Sequence, residues 1–232
     1  MRYHKGDERI SQMPSRIDWL MRYEPILNFI LKNDTIKSIL DFGCGPVGLG
    51  SVYARQYYGI DLLPILPLTN NLIPINGIHP FQLQQRFDFV CAMDVLEHIP
   101  LCQRAMFWTT LKRITKQWAI VSIPTNHLFD LEYLSLCTTE KQGQIPQWLL
   151  EHLSQPMPDD DSVLESITKN NFKIIKRIPQ LTRIEYYIGM LDAPVGGDWK
   201  IRMLNDIHAI NQANCERKEP ERYRTIWILE AS

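Results

Sequence analysis

The chain has 232 residues, 45% of them hydrophobic and 22% charged, which is ordinary for a globular protein and enough for one sizeable core. A net charge of −1 gives no global attraction to nucleic acid or to an anionic membrane surface, so neither is the default partner. The five cysteines, Cys44, Cys91, Cys102, Cys137 and Cys215, contain no Cys-x-x-Cys pair, which argues against a disulfide framework or a zinc cluster and for a reducing compartment.

The opening Met1-Arg2-Tyr3-His4-Lys5-Gly6-Asp7 has no apolar signal-peptide core, and no run of about eighteen apolar residues occurs anywhere. The expectation is a cytoplasmic protein with no membrane span. Ser15 is placed to cap a helix over 16–32, in which Ile17, Leu20, Met21, Ile26, Leu27, Ile30 and Leu31 form a helical apolar stripe interrupted at Pro25. This helix is expected to lie across the cleft made by the elements that follow.

Residues 39–50 read Ile-Leu-Asp-Phe-Gly-Cys-Gly-Pro-Val-Gly-Leu-Gly, a short buried strand running into a glycine-rich turn. Gly43 and Gly45 permit positive φ and close approach of the backbone to a ligand, and Gly48 permits tight packing of the next element on the sheet. A helix over about 48–56 is expected to aim its N-terminal N–H groups at that ligand. Asp41, just ahead of the loop, would repel a pyrophosphate but can hold a cationic amine directly or through water, which favours a nucleotide bearing an amino acid. The next strand, 57–61, ends in Asp61, twenty residues after Asp41 and suited to binding ribose hydroxyls.

Residues 62–80 carry Pro64, Pro67, Pro74 and Pro80, too many for a good helix, and Leu72–Ile75 is the candidate third strand. A fourth strand over 87–93 runs into Asp94-Val95-Leu96-Glu97-His98-Ile99-Pro100, a helix follows at 101–116, and a fifth strand covers 118–123. Strands alternating with helices predict a parallel sheet wound with helices on both faces. Beyond Pro124, 126–155 reads as a mostly helical insertion able to cover the site. Asp159-Asp160-Asp161 starts a helix over 162–170, and 172–178 with 223–230 form the last pair of strands. Between that pair lies a second insertion, 180–221, with a Gly196-Gly197 turn and a helix over 199–212.

The segments 39–50, 57–61, 87–100 and 118–124 together resemble class I S-adenosylmethionine-dependent methyltransferases, the match spanning much of 36–124. Asp-Phe-Gly-Cys-Gly-Pro and Asp-Val-Leu-Glu-His-Ile-Pro are its specific parts, and they look like the branch that methylates small molecules and glycans. Trp148-Leu149-Leu150-Glu151-His152-Leu153 with Pro156-Met157-Pro158 is similar to methyltransferases associated with cell-surface polysaccharide assembly. The resemblance implies an α/β, doubly wound, seven-stranded, mainly parallel sheet with an antiparallel last strand, a Rossmann-like fold. It implies one domain over 1–232, with an N-terminal helical cap at 1–35 and helical insertions at 126–158 and 180–221 on the substrate side. It implies S-adenosylmethionine as cofactor, contacted by Asp41, Gly43, Cys44, Gly45, Gly48, Asp61, Leu62, Ala92, Met93 and Asp94. The acid usual near the adenine is absent, and Asn76 is the nearest polar substitute.

Methyl transfer is an in-line displacement that needs the acceptor held close and, for a hydroxyl, its proton taken. His98, after the fourth strand, is the first candidate base, against a plain capping role; His127, after the fifth, is the second, against loop solvation; His152 is a weaker third. Asp94, Glu97 and His98 could offer two carboxylates and an imidazole to a metal, but helix-start acids also complement the dipole and no further ligand is identifiable, so no metal is expected. Cys44 reads as a small packing residue. The expected activity is methyl transfer to a hydroxyl of a small-molecule or glycan acceptor, with nucleic acid not expected. Rival readings are a nicotinamide-dependent dehydrogenase, disfavoured by Asp41 and Gly45-Pro46, a non-catalytic scaffold or regulatory module on the same fold, and an RNA methyltransferase.

Overall fold

A computed structural model describes residues 2–13, 15–140, 145–180, 182–189, 194–216 and 222–231. Parts of the insertion expected over 180–221 lie outside the described residues. The central sheet has seven strands: β1 (Ile39–Phe42), β2 (Tyr57–Ile60), β3 (Leu72–Pro74), β4 (Phe87–Met93), β5 (Thr115–Pro124), β6 (Phe172–Gln180) and β7 (Arg224–Ala231). Their spatial order is β3-β2-β1-β4-β5-β7-β6. The pairs β3·β2, β2·β1, β1·β4 and β4·β5 are parallel, and β7 runs antiparallel to both β5 and β6. The doubly wound sheet with an antiparallel last strand is therefore the observed fold.

Both faces of the central strands are covered, so they are apolar at nearly every position. Ile39, Phe89, Cys91 and Met93 point into one core, shared with helix α1 (Ile17–Lys32) and helix α7 (Gly197–Glu216). Leu40, Phe42, Val90 and Ala92, one residue out of phase, point into the other, built on helix α2 (Arg104–Ile114) and helix α5 (Asp160–Lys169). Between β5 and α5 the chain forms α3 (Leu128–Glu140) and α4 (Gln147–Ser154), joined by the stacked rings of Tyr133 and Trp148. Helix α6 (Arg183–Gly189) precedes α7.

Three local expectations are corrected. Helix α1 is not capped by Ser15, whose hydroxyl donates to the Ser51 carbonyl at 2.6 Å; Arg16 occupies the cap position, and its side chain pairs with Asp18 rather than capping the helix. Pro25 does not interrupt α1, because the Met21 carbonyl that proline leaves without a helical partner receives the buried side-chain amide of Gln180 at 3.4 Å. The helix expected over 48–56 is reduced to one 3-10 turn, Gly48–Ser51. Beyond it the backbone pairs with the N-terminal segment, Ser11 N–H donating to the Val52 carbonyl and Ala54 N–H to the Arg9 carbonyl. Two glycines and the β-branched Val52 give that stretch little helix propensity, so the sheet-like pairing wins.

Candidate functional site

At the carboxyl ends of β1, β2 and β4 the glycine loop 43–48 floors a cavity of about 660 Å³, within the range usual for small-molecule sites. The loop turns through three left-handed glycines, Gly43 (φ +76°), Gly45 (φ +54°) and Gly48 (φ +43°). A Cβ on Gly48 would lie 2.3 Å from Asp41 Oδ2, while one on Gly45 would meet nothing within 4 Å. Only Gly45 therefore faces open space. Asp61, after β2, is tied to this loop: Gly45 N–H donates to its Oδ2 at 2.8 Å and Leu62 N–H to its Oδ1 at 2.7 Å.

Of the residues expected at the cofactor, Gly43, Cys44, Gly45, Gly48, Asp61, Leu62, Met93 and Asp94 line this cavity. Asp41, Ala92 and Asn76 do not, and each has a physical reason. Asp41 points to the α1 face of β1, fully buried, where its Oδ2 accepts Leu49 N–H at 2.7 Å and the Tyr23 hydroxyl at 3.1 Å. Burial pushes its carboxyl up to about 7, against those two bonds. Its place is beneath the loop, where its carboxylate braces the Leu49 end of the turn. Ala92 alternates onto the α2 face. Asn76 is spent on Ile65, accepting its N–H at 2.8 Å and donating to its carbonyl at 3.1 Å.

Asp94 occupies the left-handed region at φ +54°, which turns its carboxylate back into the wall. There Ser122 donates to Oδ1 at 2.6 Å, and Arg224 and Arg22 pair with Oδ2 at 2.8 and 3.2 Å. Burial alone would raise this carboxyl, but the two guanidiniums outweigh it and hold it below its ordinary value. Arg22, with Trp19 and Tyr23, brings α1 into the wall of the cavity, as expected of a helix across the cleft. Nothing in the sequence marks these three, because a helix-period stripe names its buried face and is silent on which residue faces a ligand.

Of the candidate bases, His98 lines the cavity, whereas His127 is exposed and does not. Neither ring nitrogen of His98 stands alone. Nδ1 is 3.2 Å from Glu151 Oε2, and Nε2 is 3.4 Å from Nε2 of His152, whose own Nδ1 is 3.1 Å from Asp130 Oδ2. Tyr186 donates to the other oxygen of Asp130 at 2.9 Å. Burial and the facing His152 lower the affinity of His98 for a proton. Beneath this pair lies Glu97, buried, with neither carboxylate oxygen hydrogen-bonded among the described residues. The partnership of His98 with α4 could not be read from spacing, because 54 residues separate it from His152.

No helix among the described residues is long and apolar enough to cross a membrane. A family model described as a methyltransferase domain matches residues 12–176, more than half of the chain. No curated protein matches. Among solved structures, magnesium protoporphyrin IX methyltransferase from Synechocystis PCC 6803 with bound SAH superposes with a TM-score of 0.56 at 15% identity, covering 93% of this chain and 84% of that one. A SAM-dependent methyltransferase from Archaeoglobus fulgidus gives 0.53 at 13% identity, covering 90% and 92%. A Burkholderia thailandensis 1,6-didemethyltoxoflavin-N1-methyltransferase gives 0.51 at 11% identity, covering 91% and 77%. At these identities the likeness is one of fold.

Proposed function

The chain belongs to the S-adenosylmethionine-dependent methyltransferases, and from that premise we propose that it moves a methyl group to a hydroxyl of a small-molecule or glycan acceptor, with the proton taken at the His98–His152 pair. The residues present fit the cofactor. The Gly45 position is open where a Cβ would intrude on a ligand, and Asp61 is already oriented by the loop. S-adenosylmethionine supplies an activated methyl on a sulfonium. Asp61 takes its ribose hydroxyls, Leu62 and Phe81 offer apolar surface to the adenine, and the loop at 43–45 offers close approach and carbonyl oxygens to its amino-acid end, its N–H groups being already given, Gly43 and Cys44 to the Ile60 carbonyl and Gly45 to Asp61.

The observation that carries the acceptor reading is the position of His98, on the cavity wall at the carboxyl end of β4 and backed by a chain of partners running to Asp130. An acceptor hydroxyl that takes the place of His152 at Nε2 of His98 meets an imidazole whose Nδ1 is held by Glu151, so the ring is oriented before the acceptor arrives. The insertion 126–158, which supplies Glu151 and His152, covers this side and is the part of the chain suited to choosing the acceptor. The remaining histidine candidate, His127, is assigned no step.

Incubation with methyl-labelled cofactor and fractions of polyols, phenols, oligosaccharides and short RNAs tests the reading. Label is expected on an oxygen of a small molecule or sugar, with turnover by His98→Ala reduced at least about 100-fold. Label confined to nitrogen, or to RNA, would overturn it.

A further inference from the structure

Two imidazole nitrogens facing each other at 3.4 Å cannot both donate, and the partners behind them decide which lone pairs are left. A carboxylate sits on Nδ1 of each ring, Glu151 on His98 and Asp130 on His152, at 3.2 and 3.1 Å. Carboxylates accept, so each ring carries its hydrogen on Nδ1 and turns an Nε2 lone pair inward. Two lone pairs then oppose each other. Glu97 completes the cluster: its Oε1 is 3.8 Å from Nε2 of His152, it is 1% exposed, and neither of its oxygens accepts a hydrogen bond among the described residues.

Unpaired buried carboxylate and opposed lone pairs are each unfavourable alone, and one positive centre between them relieves both. The three ligand atoms lie within 4.8 Å of one another, and ligands about 2.1 Å from a shared ion sit about 3–4 Å apart, so small side-chain movements suffice. Imidazoles braced at Nδ1 by carboxylates are the usual outer support of metal-binding histidines. We infer that Glu97, His98 and His152 form a site for one divalent first-row metal ion of the zinc and manganese class, on the wall of the cavity. Asp94 is not a ligand, because Arg22, Arg224 and Ser122 already occupy it. Two nitrogens and one oxygen leave further positions open, and His98 lines the cavity, so an acceptor oxygen can reach the ion. Bound there, a hydroxyl loses its proton more readily, and with both Nε2 lone pairs on the ion that proton goes to water or to Glu151 rather than to an imidazole, so the loaded site replaces proton uptake by the His98–His152 pair in the proposed reading.

The test reads binding first and activity not at all. The full chain, stripped with chelator, is titrated separately with Mn(II) followed by electron paramagnetic resonance and with Zn(II) followed by calorimetry. One equivalent is expected to bind, with affinity at least 100-fold weaker in Glu97→Gln and in His152→Gln. X-ray absorption of the unmodified zinc-loaded chain covers the case in which a variant does not fold, and two imidazoles with no sulfur ligand are expected. Binding of neither ion, binding unchanged in both folded variants, or a thiolate in the absorption spectrum overturns the site. Each of these results is independent of whether methyl transfer to a hydroxyl is found.

Discussion

The N–H of Gly45 donates to Oδ2 of Asp61 across 2.8 Å, so the acid that ends β2 is held against the glycine loop that follows β1. One oxygen is fixed by the loop and the other by Leu62 N–H, which leaves the remaining lone pairs of the carboxylate to the cavity. Asp61→Ala is expected to weaken S-adenosylhomocysteine binding by about 10- to 100-fold, the range for losing hydrogen bonds to a charged group, with a small change in melting temperature. Calorimetric titration checks it; affinity within twofold of the parent contradicts the ribose role.

Asp94 joins two elements far apart in the chain by pairing Arg22 of α1 with Arg224 of β7. Asp94→Ala leaves the buried Arg224 without its counter-charge and takes one of two carboxylate partners from the half-buried Arg22, which keeps Asp18, and is expected to cost about 3–5 kcal/mol. Asp94→Asn keeps the left-handed backbone accessible and the acceptor oxygen, and should cost less. Urea unfolding of the two variants measures the difference, and equal stabilities would count against the ion-pair account.

Asp41 gives the protein a specific pH dependence. Its carboxyl is raised by burial from 3.8 to about 7, so the stability it contributes is complete below about pH 4 and is lost as pH rises through 7. Across that window the loss is up to about 4 kcal/mol. Asp41→Asn retains an acceptor for Leu49 and Tyr23 and removes the charge. It is expected to melt higher than the parent at pH 8, with the gap shrinking steadily towards pH 5. A gap independent of pH would show that Asp41 does not titrate there.

Gln180 and Pro25 are expected to be coupled. Gln180→Leu leaves the buried Met21 carbonyl without its donor and should destabilise by about 1–3 kcal/mol. Adding Pro25→Ala restores a backbone N–H four residues after Met21, and the double variant should recover most of the loss. A double-mutant cycle by thermal denaturation reads the coupling, and additive effects would dissociate the two residues.

Much of the sheet and of the glycine loop is legible in the sequence because both are decided locally. Glycine alone adopts the turns at 43, 45 and 48 without penalty, and apolar runs bounded by turn residues mark β1, β2 and β4 wherever the rest of the chain goes. The helix expected after the loop failed for a non-local reason, since Ser11 and Arg9 claim the backbone at Val52 and Ala54. The candidate site divides along the same line. Asp61 and His98 follow directly from strand ends, while Asp41 and Ala92 required knowing which side of the sheet each faces.

By itself the sequence determined a parallel sheet, a loop shaped for close approach of a ligand and an acid twenty residues downstream, because backbone sterics and side-chain period are properties of neighbouring residues. Only the tertiary structure decided that Asp41 lies under the loop, that α1 contributes Arg22 to the cavity, and that His98 meets His152 above the unpaired carboxylate of Glu97. Those contacts join segments far apart in the chain, 54 residues in the case of His98 and His152, and their geometry is set by the packing of whole elements, which no local pattern encodes.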